Sequence, residues 1–171
     1  MNSHSKSKLD KILVILTFSI IILVLDQLSK FYVLHILDLS NKLIMVAIPG
    51  FVYLKMAWNE GINFGLFASG SYNTKIILIA FPTIICLAVL FWAIRQTDYL
   101  IHLFAASIIG GAFGNVLDRI VYGAVVDFLN ITCCGIQNPY SFNVADVSIF
   151  LGAVGIIFYS NTSNNKSDIV S

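Results

Sequence analysis

The sequence predicts a mainly α-helical membrane protein, and two observations support this prediction. Of the 171 residues, 58% are hydrophobic and only 11% are charged, whereas a typical soluble domain carries about 25% charged residues. The apolar residues also form four runs, each close to the roughly 20 residues that a helix needs to cross a bilayer. We predict transmembrane helices near residues 12–34, 74–94, 100–117 and 144–159.

The composition argues against several other classes of protein. A formal net charge of +1 provides no basic surface for nucleic acid, and 171 residues leave little room for a soluble domain beside the membrane domain. The cysteines Cys86, Cys133 and Cys134 show no zinc-binding spacing. We interpret them as free or incidental thiols, because adjacent cysteines bridge only with strain. We therefore expect a single membrane domain without a metal site.

Basic residues set the expected orientation, since cytoplasmic loops of membrane proteins are enriched in lysine and arginine. They flank the first span, the link between the second and third spans, and the end of the fourth, at Lys6, Lys8, Lys11, Arg95 and Lys166. Both termini are therefore expected in the cytoplasm, and loops 36–73 and 119–143 on the outer side. The polar tail, residues 161–171, is predicted to be disordered.

The first outer loop contains two β-prone runs. Residues 42–48 and 51–58 are separated by the turn dipeptide Pro49-Gly50, which predicts a small sheet at the bilayer surface. The glycines of the next stretch, residues 59–67, suit a backbone that bends or that lets a ligand approach closely. An ordinary loop leading into a short interfacial helix explains the same pattern, so both interpretations stay open.

Two features of the spans bear on how the helices pack. Asp26 and Lys30 are four residues apart in the first span, so they share one helix face and can pair. A charge within the bilayer costs at least about 2.5–3.5 kcal/mol, so this face is expected to point into the bundle or to a wet cavity. It serves either as support for a site or as structure alone, with an ion pair that fixes helix packing or with Lys30 reaching outward to the membrane surface. In the third span, Gly110, Gly111 and Gly114 have the spacing that allows close helix approach.

Polar stripes occupy the outer ends of the third and fourth spans. Asn115, Asp118 and Arg119 have i, i+3, i+4 spacing and form one stripe. Asn143 and Asp146 are three residues apart and form another at the start of the fourth span. Acids inside a membrane are candidate functional residues by default.

A pair of aspartates is the chemistry that these residue types favour. His4, His35 and His102 share no neighbourhood with a plausible nucleophile, and no H-E-x-x-H metal motif occurs. Two close aspartates share a proton, so that one deprotonates a water while the other protonates the scissile carbonyl oxygen. Such a reaction needs no metal and no cofactor.

Three aspartates compete for the two catalytic places. Asp118 is followed by Arg119, which is expected to pair with it, whereas Asp127 and Asp146 have apolar neighbours and no adjacent cation. We therefore predict Asp127, in a loop, and Asp146, at a helix start, as the dyad, with Asp118 and Arg119 as scaffold. A helix cap or a buried ion pair is the structural alternative for each aspartate.

Five short segments also form an ordered pattern that covers most of the chain. They are Asp26-Gln27-x-Ser29-Lys30, Asn59-x-Gly61-x-x-Phe64-Gly65, Gly114-Asn115-x-x-Asp118-Arg119, Val125-Val126-Asp127-Phe128 and Phe142-Asn143-x-Ala145-Asp146. Each segment is weak by itself, but all five in this order are highly specific. The pattern resembles the lipoprotein signal peptidase family, the signal peptidase II family of bacterial aspartic intramembrane proteases.

This resemblance implies four membrane helices with a small periplasmic β-cradle and a short interfacial helix. It also implies a protease of the bacterial inner membrane that cleaves diacylglyceryl prolipoproteins before the lipidated cysteine and that the cyclic peptide globomycin inhibits. We expect a monomer surrounded by membrane lipid. The implied dyad is Asp127 and Asp146, and the implied substrate-binding or supporting residues are Asp26, Lys30, Asn59, Gly61, Asn115, Asp118, Arg119 and Asn143. The chain departs from the family pattern at Asn63 and Pro139.

Two other classes of protein compete with this hypothesis. A channel or carrier would distribute polar residues through the membrane depth and would usually contain internal repeats, whereas here the polar residues collect at one edge. An assembly factor would use the polar stripes only to hold helices together.

Overall fold

The structure is a computed structural model that describes residues 7–61, 72–133 and 138–168. Its backbone combines five α-helices, one π-helical turn and three strands within these residues. In chain order the elements are α1 (Lys8–Phe31), the π-helical turn (Tyr32–Ile36), α2 (Leu39–Lys42), β1 (Ile44–Ile48), β2 (Val52–Asn59), α3 (Tyr72–Ala93), α4 (Tyr99–Val121), β3 (Val125–Ile131) and α5 (Val144–Asp168).

Each of the four predicted spans is helical. Among the described residues, three helical segments are long and apolar enough to cross a membrane: Lys8–Ile36, Thr74–Ala93 and Tyr99–Val121. The apolar part of α5, Val144–Tyr159, is shorter than these three. The structure is therefore mainly helical, with membrane-spanning character in at least three helices.

Two helices extend further than predicted. The helix α4 continues to Val121, so the polar residues at its end are helical and do not belong to the outer loop. The helix α5 continues to Asp168, which corrects the expected disorder for residues 161–168. Once a helix is nucleated, each added residue gains one backbone hydrogen bond, so a polar segment can continue a helix that an apolar segment began.

The strands form one small antiparallel sheet in the order β1-β2-β3. The predicted hairpin is confirmed, and its turn contains Gly50 at φ +76°, a conformation that favours glycine. The third strand, β3, was not predicted, because its few residues were assigned to a loop. It pairs with β2 across about 70 residues of sequence, placing Ala57 opposite Asp127 and Asn59 opposite Val125.

The helix α4 packs against α1, α3 and α5. Glycines allow this close approach, as predicted: a Cβ on Gly110 would lie 2.5 Å from the Ser19 carbonyl oxygen of α1, and one on Gly111 would lie 2.5 Å from the Ala145 carbonyl oxygen of α5. A Cβ on Gly114 would lie 2.5 Å from the Asp26 carboxylate. The same stretch of α4 therefore contacts both neighbouring helices through its backbone.

Apolar side chains form two buried clusters. One joins α1, α3 and α4, and the other joins the end of α1 to the sheet through Val33, Leu34, Leu39, Val126 and Phe128. The second cluster fixes the sheet over the end of α1. It thereby holds β3, which carries Asp127, close to the start of α5, which carries Asp146.

The cysteines differ from one another. Cys86 is a free, buried thiol in the apolar cluster of α3, as expected. Cys133 is solvent-exposed just after β3 and is disulfide-bonded, which corrects its interpretation as a free thiol. Exposed cysteines form lasting disulfides in oxidising compartments.

Several predictions concern residues outside the described ranges. They are the interfacial helix expected after Gly61, the departure at Asn63 and the second cysteine of the adjacent pair, Cys134.

Candidate active site

Asp127 and Asp146 come to the site from different elements. Asp127 lies on β3, not in a loop as predicted, and its side chain is only 2% exposed. Asp146 lies in the first turn of α5. A strand and a helix start, both held by neighbouring elements, fix the direction of a side chain more firmly than a loop does.

Asn143 connects the two carboxylates and is fully buried. Its Nδ2 donates to Asp127 Oδ1 at 2.7 Å. Its backbone N donates to Asp146 Oδ2 at 3.2 Å, and its Oδ1 accepts from the Asp146 backbone N at 2.9 Å. These last two bonds are the reciprocal pair of a capping box. The residue that starts α5 therefore also positions both acids.

Two further carboxamides complete the contacts of the acids. Asn115 on α4 donates from Nδ2 to Asp146 Oδ1 at 2.9 Å, and its Oδ1 accepts from Asn143 Nδ2 at 3.1 Å. Asn59, the last residue of β2, donates from Nδ2 to Asp127 Oδ2 at 3.1 Å. Every carboxylate oxygen of the two acids thus accepts a hydrogen bond from an uncharged donor, so the pair is held in place without a counter-ion.

Burial raises the pKa of Asp127 from 3.8 to about 7, and the negative charge of Asp146 contributes to the rise. The hydrogen bonds from Asn59 and Asn143 and the positive charge of Lys30 act in the opposite direction and are weaker together. At neutral pH a large fraction of Asp127 carboxyls therefore retains a proton, as a general acid must.

Arg119 brings a positive charge within electrostatic range of both acids. Its Nη2 donates to the Gly61 carbonyl oxygen at 3.0 Å, and Gly61 N donates to Asn59 Oδ1 at 3.2 Å. Its Nε is buried, and no acceptor among the described residues bonds to it. A buried donor without a partner is unfavourable, so this atom is available to an acceptor that enters the site.

A cavity of about 310 Å³ opens beside the acids, between α3, α4 and α5. Its polar end is formed by Asn59, Asn115, Arg119 and Asp146. Apolar side chains form its remaining wall and include Ile77, Phe81, Ile85 and Ile149. The cavity therefore suits a ligand with an apolar part and a polar group next to it.

A second group of charges, which we name the buried charge cluster, consists of Asp26, Lys30 and Asp118. The Lys30 ammonium lies 2.7 Å from Asp26 Oδ2 and 2.7 Å from Asp118 Oδ2, and all three side chains are at most 2% exposed. The predicted pairing of Asp26 with Lys30 is confirmed. The predicted pairing of Asp118 with Arg119 is wrong, because the two residues point to different neighbours: Asp118 contacts Lys30, and Arg119 contacts Gly61.

Backbone hydrogen bonds connect the buried charge cluster to the two acids. Asp26 Oδ1 accepts from Ala145 N at 2.9 Å, next to Asp146 in α5. Asp118 Oδ2 accepts from Val126 N at 3.1 Å, next to Asp127 in β3. The cluster therefore joins α1 and α4 to the two segments that carry the acids.

Gln27 is a member of this network that the sequence reasoning did not select. Its Nε2 donates to Asp118 Oδ1 at 2.9 Å, to Asp26 Oδ2 at 3.2 Å and to the Gly114 carbonyl oxygen at 3.3 Å. Gln27 could have been selected from the sequence, because it directly follows Asp26 in the first segment of the family pattern.

No three His, Cys, Asp or Glu residues are grouped so that they could hold a metal ion, within the part of the chain that the structure describes. The described site thus offers two carboxyls, three carboxamides and a guanidinium as its reactive and binding groups. With its helices and small sheet, the protein belongs to the class of helical membrane proteins that carry a paired-carboxylate site.

Comparison with known proteins identifies the family. Residues 18–162 match the family described as signal peptidase (SPase) II. A lipoprotein signal peptidase of Rhodopseudomonas palustris is 40% identical over 144 residues, which are 82% of this chain and 87% of that protein. One of Pelagibacter ubique is 37% identical over 154 residues, which are 88% and 89% of the two chains. The chain belongs to the signal peptidase II family, as its sequence pattern predicted.

A solved structure supports the same assignment. It is a bacterial membrane enzyme determined by the in meso method at 2.3 Å resolution, and it is 26% identical to this chain. The two superpose with a TM-score of 0.73 over 88% of this chain and 90% of the other. The arrangement of helices and sheet described above is therefore that of a known membrane enzyme.

Proposed function

We propose that this protein is a lipoprotein signal peptidase of the aspartic type, which removes the signal peptide from diacylglyceryl-modified prolipoproteins by cleaving before the lipidated cysteine. One observation carries the proposal: Asn143 joins the buried Asp127 carboxyl to the half-buried Asp146 carboxyl, and Asp146 lies at the polar end of an otherwise apolar cavity. Membership of the signal peptidase II family supports it.

Asp127 is the general acid in this proposal and Asp146 is the general base. Burial raises the pKa of Asp127 to about 7, so a large fraction of Asp127 carboxyls holds a proton at neutral pH. When one of two close acids is protonated, the other is free to act as the base. Asp146 takes a proton from a water, and the resulting hydroxide attacks the scissile carbonyl carbon while Asp127 protonates the carbonyl oxygen.

The tetrahedral intermediate then collapses without any covalent enzyme species. The carbon–nitrogen bond breaks, and the proton held by Asp146 passes to the leaving nitrogen. The hydroxyl proton on the former carbonyl oxygen returns to Asp127 as the new carboxyl group forms. Both acids regain their starting protonation states, so the cycle consumes one water and needs no cofactor.

The cavity accounts for the substrate class. Its apolar wall suits the apolar chain of a signal peptide or the acyl chains on the lipidated cysteine. Arg119 offers its unpartnered Nε to an oxygen of the peptide or the diacylglyceryl group. Asn59 and Asn115 border the same space and hold the acids while the substrate occupies it.

We also propose that α5 is a fourth transmembrane helix and that the protein acts as a monomer in the bacterial inner membrane. Both termini lie in the cytoplasm in this arrangement, as the basic residues favour. The sheet and the acids then lie at the outer membrane edge, where water and a membrane-anchored prolipoprotein are both present. Globomycin would inhibit by occupying the cavity.

The test is processing of a diacylglyceryl prolipoprotein, followed as a gel shift with purified protein in lipid. We expect wild-type protein to process the substrate and globomycin to stop it. Asp127→Asn and Asp146→Asn should each lose roughly 10²–10⁴-fold in rate, the usual contribution of a general acid or base. Full activity in either variant would remove that residue from the dyad.

Asp38→Asn is the matched control. Asp38 is exposed and adopts φ 54°, a backbone conformation that asparagine tolerates well. This variant should process at the wild-type rate, which separates loss of a catalytic acid from a general effect of replacing aspartate by asparagine.

A further inference from the structure

We propose that Lys30 is a positioning residue, whose ammonium group holds the Asn115 carboxamide in the one orientation that donates to Asp146. This inference rests on the proposed function, because it concerns the base of that reaction. It gives the buried charge cluster a role in the chemistry beyond joining helices.

The Lys30 ammonium contacts three oxygens. It donates to Asp26 Oδ2 at 2.7 Å and to Asn115 Oδ1 at 3.3 Å, and it forms an ion pair with Asp118 Oδ2 at 2.7 Å. An ammonium has three donors and no acceptor, and this one is only 2% exposed. Lys30 is therefore fully engaged, and its two carboxylate partners prevent it from turning away from Asn115.

A carboxamide has an acceptor side and a donor side, and these differ in what they can contact. The Asn115 oxygen faces two donors, Lys30 Nζ at 3.3 Å and Asn143 Nδ2 at 3.1 Å. The Asn115 nitrogen faces Asp146 Oδ1 at 2.9 Å. A flipped amide would set its nitrogen against the ammonium and its oxygen against the carboxylate, so both contacts would become repulsive.

Lys30 is the charged donor among the contacts that orient Asn115. The Asn143 side chain is a neutral donor, and its own orientation is held by Asp127 Oδ1 and by the Asp146 backbone N. An ammonium never accepts a hydrogen bond, so Lys30 disfavours a flipped Asn115 more strongly than a neutral donor does. Removing the charge weakens the preference for the donating orientation, and Asp146 Oδ1 loses its donor whenever Asn115 turns.

The experiment is a double-mutant cycle on the rate of prolipoprotein processing, with Lys30→Gln, Asn115→Ala and their combination. If Lys30 acts through Asn115, Lys30→Gln alone should lower kcat by about 10- to 100-fold, the range for a misplaced catalytic group, and leave KM within about twofold. In the Asn115→Ala background the same substitution should change kcat by less than about twofold, because the orientation it controls is absent. Equal effects of Lys30→Gln in both backgrounds would overturn the proposal.

A charge-balanced variant covers the case in which Lys30→Gln fails to fold. Lys30→Gln combined with Asp118→Asn keeps the net charge of the cluster at −1, since one cation and one anion are removed together. It should melt closer to wild type than Lys30→Gln and still show the lowered kcat. Wild-type kcat in this folded variant would overturn the proposal independently.

Lys11→Met is the control for loss of a lysine on the same helix. Its Nζ donates to the Gln96 carbonyl oxygen at 2.6 Å, at the other end of α1. It should lower the melting temperature and leave kcat unchanged. Different results would contradict the proposed function itself: wild-type protein that does not process the prolipoprotein, or Asp127→Asn and Asp146→Asn variants that do process it.

Discussion

The protein buries charge in two adjoining regions that are built differently. In the buried charge cluster, Lys30 lies 2.7 Å from each of its two carboxylate partners. Around Asp127 and Asp146, within the described residues, no cation lies at ion-pair distance from either acid, and the hydrogen bonds come from amides. The two regions share α4, because Asn115 of this helix contacts Asp146 and Asp118 of the same helix belongs to the buried charge cluster.

This difference distinguishes Asp26 and Asp118, which stabilise the packing of helices, from Asp127 and Asp146, which are the candidate reactive acids. A cation close to a buried carboxylate offsets part of the cost of burying its negative charge. A buried carboxyl without one is less stable when charged, and that instability is what allows it to exchange a proton near pH 7. The same residue type therefore serves opposite purposes according to its partners.

The largest expected effect is on stability: Asp118→Asn should lower the free energy of unfolding, and Asp127→Asn should raise it. Both oxygens of Asp118 face donors, so an asparagine amide would confront one of them and cost about 1–3 kcal/mol of stability. Asp127→Asn meets the same conflict at Asn59 or Asn143, but it also removes a buried charge. That charge costs at most about 4 kcal/mol at pH 8, because one pKa unit corresponds to about 1.4 kcal/mol, so the net change should be a smaller stabilisation. Thermal unfolding in detergent, followed by the fluorescence of Trp58 and Trp92, measures both.

The gain in Asp127→Asn should depend on pH. The pKa of Asp127 is raised from 3.8 to about 7 in the folded protein, so wild type loses stability as pH rises from about 4 to 7 and no more above that. The gain of the variant is then complete above pH 7 and disappears toward pH 4. A gain that is equal at pH 4 and pH 8 would contradict the assigned cause.

A smaller effect is expected where the two regions meet, at Gly114. A Cβ there would lie 2.5 Å from Asp26 Oδ2, an atom that Lys30 and Gln27 hold in place. Gly114→Ala should cost about 1–3 kcal/mol, as overpacking does, and should also lower the processing rate per folded molecule. In Gly110→Ala the nearest contacts of the new Cβ are with Ser19 and Ile22 of α1, so this variant should lower stability without lowering the processing rate per folded molecule. If both variants keep full specific activity, the connection between the regions is purely structural.

The smallest effect is expected from Gln27→Met. Gln27 donates to Asp26 and Asp118 and, among the described residues, makes no hydrogen bond to Asp127 or Asp146. Methionine has a similar length, and Asp118 keeps its contacts with Lys30 and Val126, so the loss should be about 1 kcal/mol. The pH dependence of processing should not change. A shifted pH profile would show that the buried charge cluster and the acids titrate together.

The helices and the first hairpin could be predicted from the sequence because their signals are local. Apolar runs of spanning length and a Pro49-Gly50 turn between β-prone runs require no knowledge of distant residues. The strand β3 was missed because its partners on β2 are about 70 residues away. Residues 161–168 were taken as disordered from composition, whereas the helix before them determines their backbone.

In the site, the pairing of two residues on one helix could be predicted, but partners on different elements could not. Asp26 and Lys30 are one helical turn apart, so their pairing follows from spacing alone. The adjacent Arg119 looked like the natural partner of Asp118, but neighbours along a helix point about 100° apart. Only the packing of α1 against α4 reveals that Lys30 takes that place. The bridging role of Asn143 likewise depends on how α5 begins beside β3.

The hydrogen bond from Ala145 to Asp26 has a consequence for synthesis, because 119 residues separate its two ends. Translation delivers α1 and α4 first, while Asn143 and Asp146 enter only with α5. A nascent chain that stops at β3 already contains Asp127 but has no base and no residue to join the two acids. The proposed protease is therefore inert throughout its own insertion, and it becomes active only when its last helix is in place.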